Sequence, residues 1–258
     1  MKDYSLTIGW LYPELMSTYG DRGNILVLQK RCEWRGIKTE IVLLNLGFKI
    51  EDLGKCDLLF MGGAQDKQQQ IVADDLMKKK DELKKMIEDG IPGLYICGAY
   101  QFLGKYYREA DGTVINSLKI FDLYTENPGN GFSRLIGNVA ARLLSGKIIV
   151  GFENHGGRTY LGGKVKPFGK VIKGFGNNGN DKTEGAIYKN SFGTYFHGPI
   201  LPKNPFFADL LIKLSLEKKY NFPTCPPKPW RRRVDLSPLN DSLESKARKA
   251  ILQKLNLH

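Results

Sequence analysis

The chain has 258 residues, 41% hydrophobic and 26% charged, proportions that exclude a mostly disordered, collagen-like or coiled-coil protein and suit one α/β core with appendages. Its longest apolar runs, such as Ile41 to Phe48, fall far short of the roughly 20 residues needed to span a bilayer, and MKDYSLTIGW lacks an export-signal core, so a cytoplasmic chain is expected. The net charge of +12 is concentrated late, with eight Lys or Arg against three acids from Pro226 to His258; without an aromatic-interleaved basic run it points to an acidic partner, an anionic substrate or an anionic membrane surface rather than nucleic acid.

Tyr4 to Leu11 reads as a strand, and Ile37 to Leu46 as a second one. Between them Asn24 to Trp34 carries Ile25, Leu28 and Cys32 at helical spacing and stops before Gly36. Asp57 to Met61 is a short buried-type strand ending at Gly62-Gly63. A long amphipathic helix is expected from about Gln68 to Asp89, with Val72, Leu76, Leu83, Met86 and Ile87 inward, until Gly90 and Pro92 stop it. Leu94 to Ile96 forms the next strand and Ala99 to Tyr107 the next helix. Such alternation is the signature of a parallel sheet with helices on both faces.

After Asp111, strand-like stretches separated by Gly/Asn turns are expected to complete the same sheet, before a helix from Asn204 to Lys219. The run FPTCPPKPW from Phe222 cannot be helical and reads as an extended linker. Ser242 to Leu255 then predicts a short basic helix with a stripe of Leu243, Ala247, Ile251 and Leu255. A helix this short needs a surface: the chain's own core, an anionic membrane or, as the favoured reading, a partner protein. The expected division is a domain over 1–221 and a basic linker and helix over 222–258.

The sharpest chemical signal is LYICGAYQFLG, Leu94 to Gly104. A short apolar strand meets Cys97 and then Gly98 directly before a helix, which describes a nucleophile elbow. A helix N-terminus lowers a thiol pKa and supplies backbone N–H groups for an oxyanion; a buried structural cysteine is the plain alternative. Cys32, Cys56 and Cys225 show no C-x-x-C spacing, so reduced thiols are expected. Gly62-Gly63 ends another strand and offers a second oxyanion donor, or simply a tight turn. His258 is terminal, leaving His155, framed by glycines as in a turn, and His197, at the end of the strand-like Gly193 to Phe196, as possible bases.

The string C-G-A-Y-Q-F-L-G, with F-H-G-P a hundred residues later, resembles the class I glutamine amidotransferases of the cobyric acid synthase type. Leu11 to Ile25 (LYPELMSTYGDRGNI), GGAQD at Gly62 to Asp66, GFENHGGRT at Gly151 to Thr159 and the GNN and EGA strings between Gly176 and Ala186 are similar, more narrowly, to glutaminase subunits of lipid II isoglutaminyl synthases. The resemblance spans about residues 4 to 220. It implies a flavodoxin-like, doubly wound α/β domain of the class I type, with Cys97 as nucleophile on the glutamine amide, His197 as base and then acid, the Gly63 and Gly98 amides as oxyanion donors, and Arg134 as the substrate-glutamine residue. A guanidinium fork suits an α-carboxylate. By the same resemblance no cofactor sits on this chain, ATP and Mg belong to a MurT-like Mur-ligase subunit forming a heterodimer, and lipid II is reached through that partner, at the inner face of the membrane.

Ordinary class I enzymes carry Glu two residues after the histidine; here Pro199 stands there, so another group must orient the imidazole, and a partner carboxylate is the favoured source. The lysine and glutamines after Asp66 replace the acid commonly found there. Gly174 to Gly179 satisfies G-x-G-x-x-G, but no helix follows, so no dinucleotide site is expected. A P-loop and zinc-like His/Cys spacing are absent from the sequence. The alternatives are the glutaminase of another amidating synthetase, such as a cobyrinate-type enzyme, and a non-catalytic basic binding protein.

Overall fold

A computed structural model describes residues 3–221 and 234–257. The expected proline-rich linker, Cys225, Arg231 to Arg233 and His258 lie outside the described residues. Strands β1 (Ser5–Leu11), β2 (Lys38–Leu44), β3 (Leu58–Met61) and β4 (Gly93–Ile96) are separated by helices α1 (Arg22–Glu33), α2 (Ile50–Leu53), α3 (Asp66–Lys78) and α4 (Lys80–Glu88). Helix α5 (Gly98–Phe102) leaves the end of β4. There follow β5 (Tyr106–Arg108), β6 (Val114–Asn116), β7 (Leu123–Glu126), β8 (Leu135–Leu143), β9 (Ile148–His155), β10 (Arg158–Leu161), β11 (Gly169–Lys173), β12 (Thr183–Glu184), β13 (Ala186–Tyr188) and β14 (Ser191–Thr194). Helices α6 (Ile200–Lys203), α7 (Pro205–Lys219) and α8 (Ser242–Lys254) complete the described elements.

The main sheet runs β13-β14-β4-β3-β1-β2, parallel except for the β13–β14 pair. Counting β14 as the fifth parallel strand gives the flavodoxin-like order 2-1-3-4-5. All residues of β3, β4 and β14 are buried, as expected of short apolar strands covered on both faces. Helix α1 packs with α6 and α7, and α7 reaches β1 and β3; α3 packs with α4 and α5, and α5 lies against β4 and β14.

Four expectations need correction. The helix expected from Gln68 to Asp89 is two helices, broken at Lys79 (φ −106°, ψ 4°). The buried Lys79 ammonium donates to Asp75 at 2.6 Å and lies 4.5 Å from the Phe48 ring centroid. The turn between the helices lets Leu83, Met86 and Ile87 face the core, each worth roughly 1.5–3 kcal/mol of burial. Second, the helix expected over Ala99 to Tyr107 ends at Phe102, because Tyr106 and Tyr107 pair across β6 with Asn116 and Ile115. Third, most of the second half does not extend the main sheet. Only β13 and β14 join it, while β10-β7-β5-β6 and β12-β11-β8-β9 form two further four-stranded sheets.

The fourth correction concerns α8. It packs on α6 and β9 of the same chain, and Leu243 of the expected stripe is 74% exposed. Ion pairs tie down its start: the buried Arg31 guanidinium bridges Asp209 on α7, at 2.7 Å, and Asp241 at the start of α8, at 2.6 Å. Arg248 also donates to the Ile148 carbonyl.

Candidate active site

Cys97 joins β4 to α5 with φ 53° and ψ −106°, a conformation that costs a residue with a Cβ about 1–3 kcal/mol. The turn is held from both sides. The Cys97 N–H donates to the Thr194 carbonyl of β14 at 2.8 Å, and the Cys97 carbonyl accepts the Gln101 N–H at 3.0 Å. The strained turn sets the thiol at the carboxyl edge of the sheet, as a nucleophile elbow does.

Strand β14 brings His197 to the same edge. Thr194 pairs with Ile96, so the chain beyond Thr194 passes beside Cys97, and His197 is fixed there by donating its N–H to the Phe152 carbonyl at 2.6 Å. The convergence is visible at Gly63. A Cβ on that glycine would stand 3.0 Å from His197 Cε1, 3.2 Å from Cys97 Cβ and 3.0 Å from Thr18 Oγ1. A side chain at this position would crowd both Cys97 and His197. Burial, and secondarily the positive charge of Arg134, pushes the His197 pKa down to about 4. Its imidazole is therefore neutral near pH 7, the form that accepts a proton.

Cys97 opens on a cavity of about 210 Å³, lined among others by Thr18, Gln69, Gln101, Arg134, Asn154 and His155. Arg134 donates from Nε to Asn154 Oδ1 at 3.0 Å and from Nη2 to the Asn154 carbonyl at 3.1 Å. Its guanidinium is thus aimed before any ligand binds. His155 is not in a turn, as its glycine neighbours suggested, but ends β9 and is buried. Gln69 and Gln101 hold their amide nitrogens on the Ala64 carbonyl and the Tyr195 hydroxyl, at 3.1 Å each.

The expected oxyanion donors are arranged unequally. Gly98 is the first residue of α5, where N–H groups lack intrahelical acceptors. The Gly63 N–H instead donates to Asp21 Oδ2 at 2.7 Å, so its hydrogen is already committed. Asp21 is buried, and burial pushes its carboxyl up to about 7 against the opposing effect of that hydrogen bond. Among the described residues no group of three His, Cys, Asp or Glu side chains could hold a metal ion, and no helix is long and apolar enough to cross a membrane.

Residues 7–205 match the model of the CobB/CobQ-like glutamine amidotransferase domain. The chain belongs to this family. It is 45% identical over 216 residues to the lipid II isoglutaminyl synthase (glutamine-hydrolyzing) subunit GatD of Staphylococcus aureus strain N315, covering 84% of this chain and 86% of that protein. The subunit of the same name in Streptococcus pneumoniae strain ATCC BAA-255 / R6 is 44% identical over 220 residues, covering 84% and 83%. A cobyric acid synthase of Listeria monocytogenes serovar 1/2a is 30% identical over 188 residues, 70% of this chain but 36% of that protein. A crystal structure of a glutamine amidotransferase superposes with a TM-score of 0.57 at 16% identity, covering 81% of this chain and 98% of that one, a likeness of fold.

Within this amidotransferase domain, Cys97, His197, Gly63 and Arg134 gather at one sheet edge although they come from segments more than thirty residues apart. Sequence reasoning missed Thr18, Asp21, Gln69, Gln101 and Asn154. A signal existed for Gln101, which stands four residues after Cys97 and so returns to the same side of a helix.

Proposed function

We propose that this chain is the glutaminase subunit of a lipid II isoglutaminyl synthase, acting in the cytoplasm. It hydrolyses L-glutamine to glutamate and ammonia, and a MurT-like, ATP-dependent ligase uses the ammonia to amidate the α-carboxyl of D-glutamate in the lipid II stem peptide. The observation that carries the reading is Cys97 on a strained elbow, with Cys97 and a neutral His197 both packed closely against Gly63. The share of each relative covered supports the acceptor: the chain spans 86% of the S. aureus subunit but 36% of the Listeria cobyric acid synthase.

In this mechanism Arg134 binds the α-carboxylate and directs the side-chain amide toward the elbow. His197 takes the Cys97 thiol proton as sulfur attacks the amide carbon. The Gly98 N–H stabilises the resulting oxyanion. His197 then returns the proton to the departing nitrogen, releasing ammonia and leaving a thioester. Water, deprotonated by His197, cleaves the thioester to give glutamate and restores the thiol. Ammonia is mostly protonated near pH 7, which favours its passage directly into a docked ligase.

The test is amidation by the chain and its ligase with ATP and lipid II. Cys97→Ser is expected to abolish amidation supported by glutamine while amidation supported by added ammonium persists. Continued use of glutamine by that variant would contradict the reading.

A further inference from the structure

The GDRG string beside α1 has no part in the chemistry above, yet it grips the turn that lies against Cys97 and His197. Both polar groups of the Gly63 peptide are held by one segment: its N–H donates to Asp21 Oδ2 at 2.7 Å, and its carbonyl accepts the Thr18 N–H at 3.2 Å. The approach leaves no room at Gly62, where a Cβ would fall 2.5 Å from both Asp21 Oδ2 and the Met16 carbonyl. The same segment reaches the chain beyond His197. A Cβ on Gly23 would meet Pro199 Cγ at 2.5 Å, and the Leu201 N–H donates to Asn24 Oδ1 at 3.0 Å. Met16 to Asn24 therefore forms a bracket touching the Gly62-Gly63 turn on one side and the His197 segment on the other.

A buried carboxylate is a costly way to accept one backbone hydrogen bond, since charge is driven out of apolar surroundings. Asp21 Oδ1 has no hydrogen-bond partner among the described residues, so fold stability alone gives little reason for the group. The turn it holds lies against Cys97 and His197, whereas Arg134 and Asn154, which would hold the amino-acid end of glutamine, lie on β8's N-terminal side and β9.

We propose that Asp21 is a positioning residue, fixing the Gly62-Gly63 turn at the spacing that Cys97 and His197 need, and so governing the chemical step rather than glutamine affinity. The inference rests on the glutaminase reading given above. It assigns to Pro199, at the position where related enzymes carry an acid, a packing role against Gly23.

The experiment compares Asp21→Asn, which keeps an oxygen for the Gly63 N–H, with Asp21→Leu, which keeps the branched outline but offers no acceptor. Steady-state glutamine hydrolysis is measured for both and for the unaltered chain, each alone and with the ligase. Leucine is expected to lower kcat about 100-fold, the scale of an ångström's misplacement of reacting groups, with KM changed less than about threefold. Asparagine is expected to stay within about fivefold of the unaltered kcat, because the acceptor remains. Should the leucine variant fail to fold, the asparagine variant still decides: a loss of about 100-fold there would overturn the inference, as would a change confined to KM in either variant. An active unaltered chain with an equally active leucine variant would overturn it while sparing the glutaminase reading. Absence of hydrolysis by the unaltered chain, alone and with its ligase, would overturn both.

Discussion

His155 lies flat against Tyr195, ring centroids 3.6 Å apart and planes 5° from parallel. Its Nδ1 is 2.8 Å from the Gly157 carbonyl, and burial above all pushes its pKa down to about 3. A neutral ring pinned in this way donates Nδ1–H to Gly157 and serves as a wall of the cavity. His197, also neutral but beside the elbow, is the proposed base. His155→Phe, which keeps a flat ring, is expected to hydrolyse glutamine within about tenfold of the unaltered chain, whereas His197→Ala loses about 10²- to 10⁴-fold. Because burial holds the His197 pKa near 4, the acid limb of kcat/KM is expected well below the ordinary histidine value of about 6.5. An essential His155, or a limb at 6.5 or above, would contradict these assignments.

Arg134 is held by Asn154 through two of its nitrogens and stands away from the reacting amide in the proposed pose. Its contact with the α-carboxylate is similar in ground and transition states, so its loss falls on KM. Arg134→Ala is expected to raise KM for glutamine about ten- to a hundred-fold, the worth of one charge-assisted pair, with little change in kcat. A normal KM would remove Arg134 from the site.

How much of this was legible in the sequence depends on how local each signal is. The Cys97 elbow is local: an apolar strand, cysteine, glycine and helix stand within ten residues, and the structure keeps that order. The parallel alternation through β4 is equally local. The break at Lys79 is not, because Lys, Glu, Met and Leu around it favour helix and the break accompanies Lys79's contacts with Asp75 and Phe48. The strand at Tyr106-Tyr107 depends on pairing with Ile115 and Thr125, residues that a helical window does not contain. Asp21 sits in a polar Tyr-Gly-Asp-Arg-Gly run that reads as a surface turn; only the close approach of Gly62-Gly63, some forty residues later, buries it.

Stability should carry the mark of a second buried acid. Glu184 accepts the Thr194 hydroxyl and the Tyr195 N–H, and burial, the largest cause, pushes its carboxyl from 4.5 up to about 8. A folded-state pKa raised above the unfolded value means stability fully present below about pH 4.5 and lost as pH rises toward 8. Glu184→Gln keeps an acceptor but cannot ionise. Relative to the unaltered chain it is expected to gain on the order of 2 kcal/mol between pH 6 and pH 8, read from denaturant unfolding at each pH. A difference independent of pH would show that Glu184 titrates normally in the fold.

The most direct test of the central claim, that Cys97 is the nucleophile for glutamine, is peptide mass spectrometry after treatment with a glutamine-mimicking diazoketone. One adduct is expected, on the peptide carrying Cys97; it should be suppressed by excess L-glutamine and lost in Cys97→Ser. Addition to Cys32 or Cys56, which are also buried, or labelling of Cys97 that glutamine does not suppress, would contradict the account.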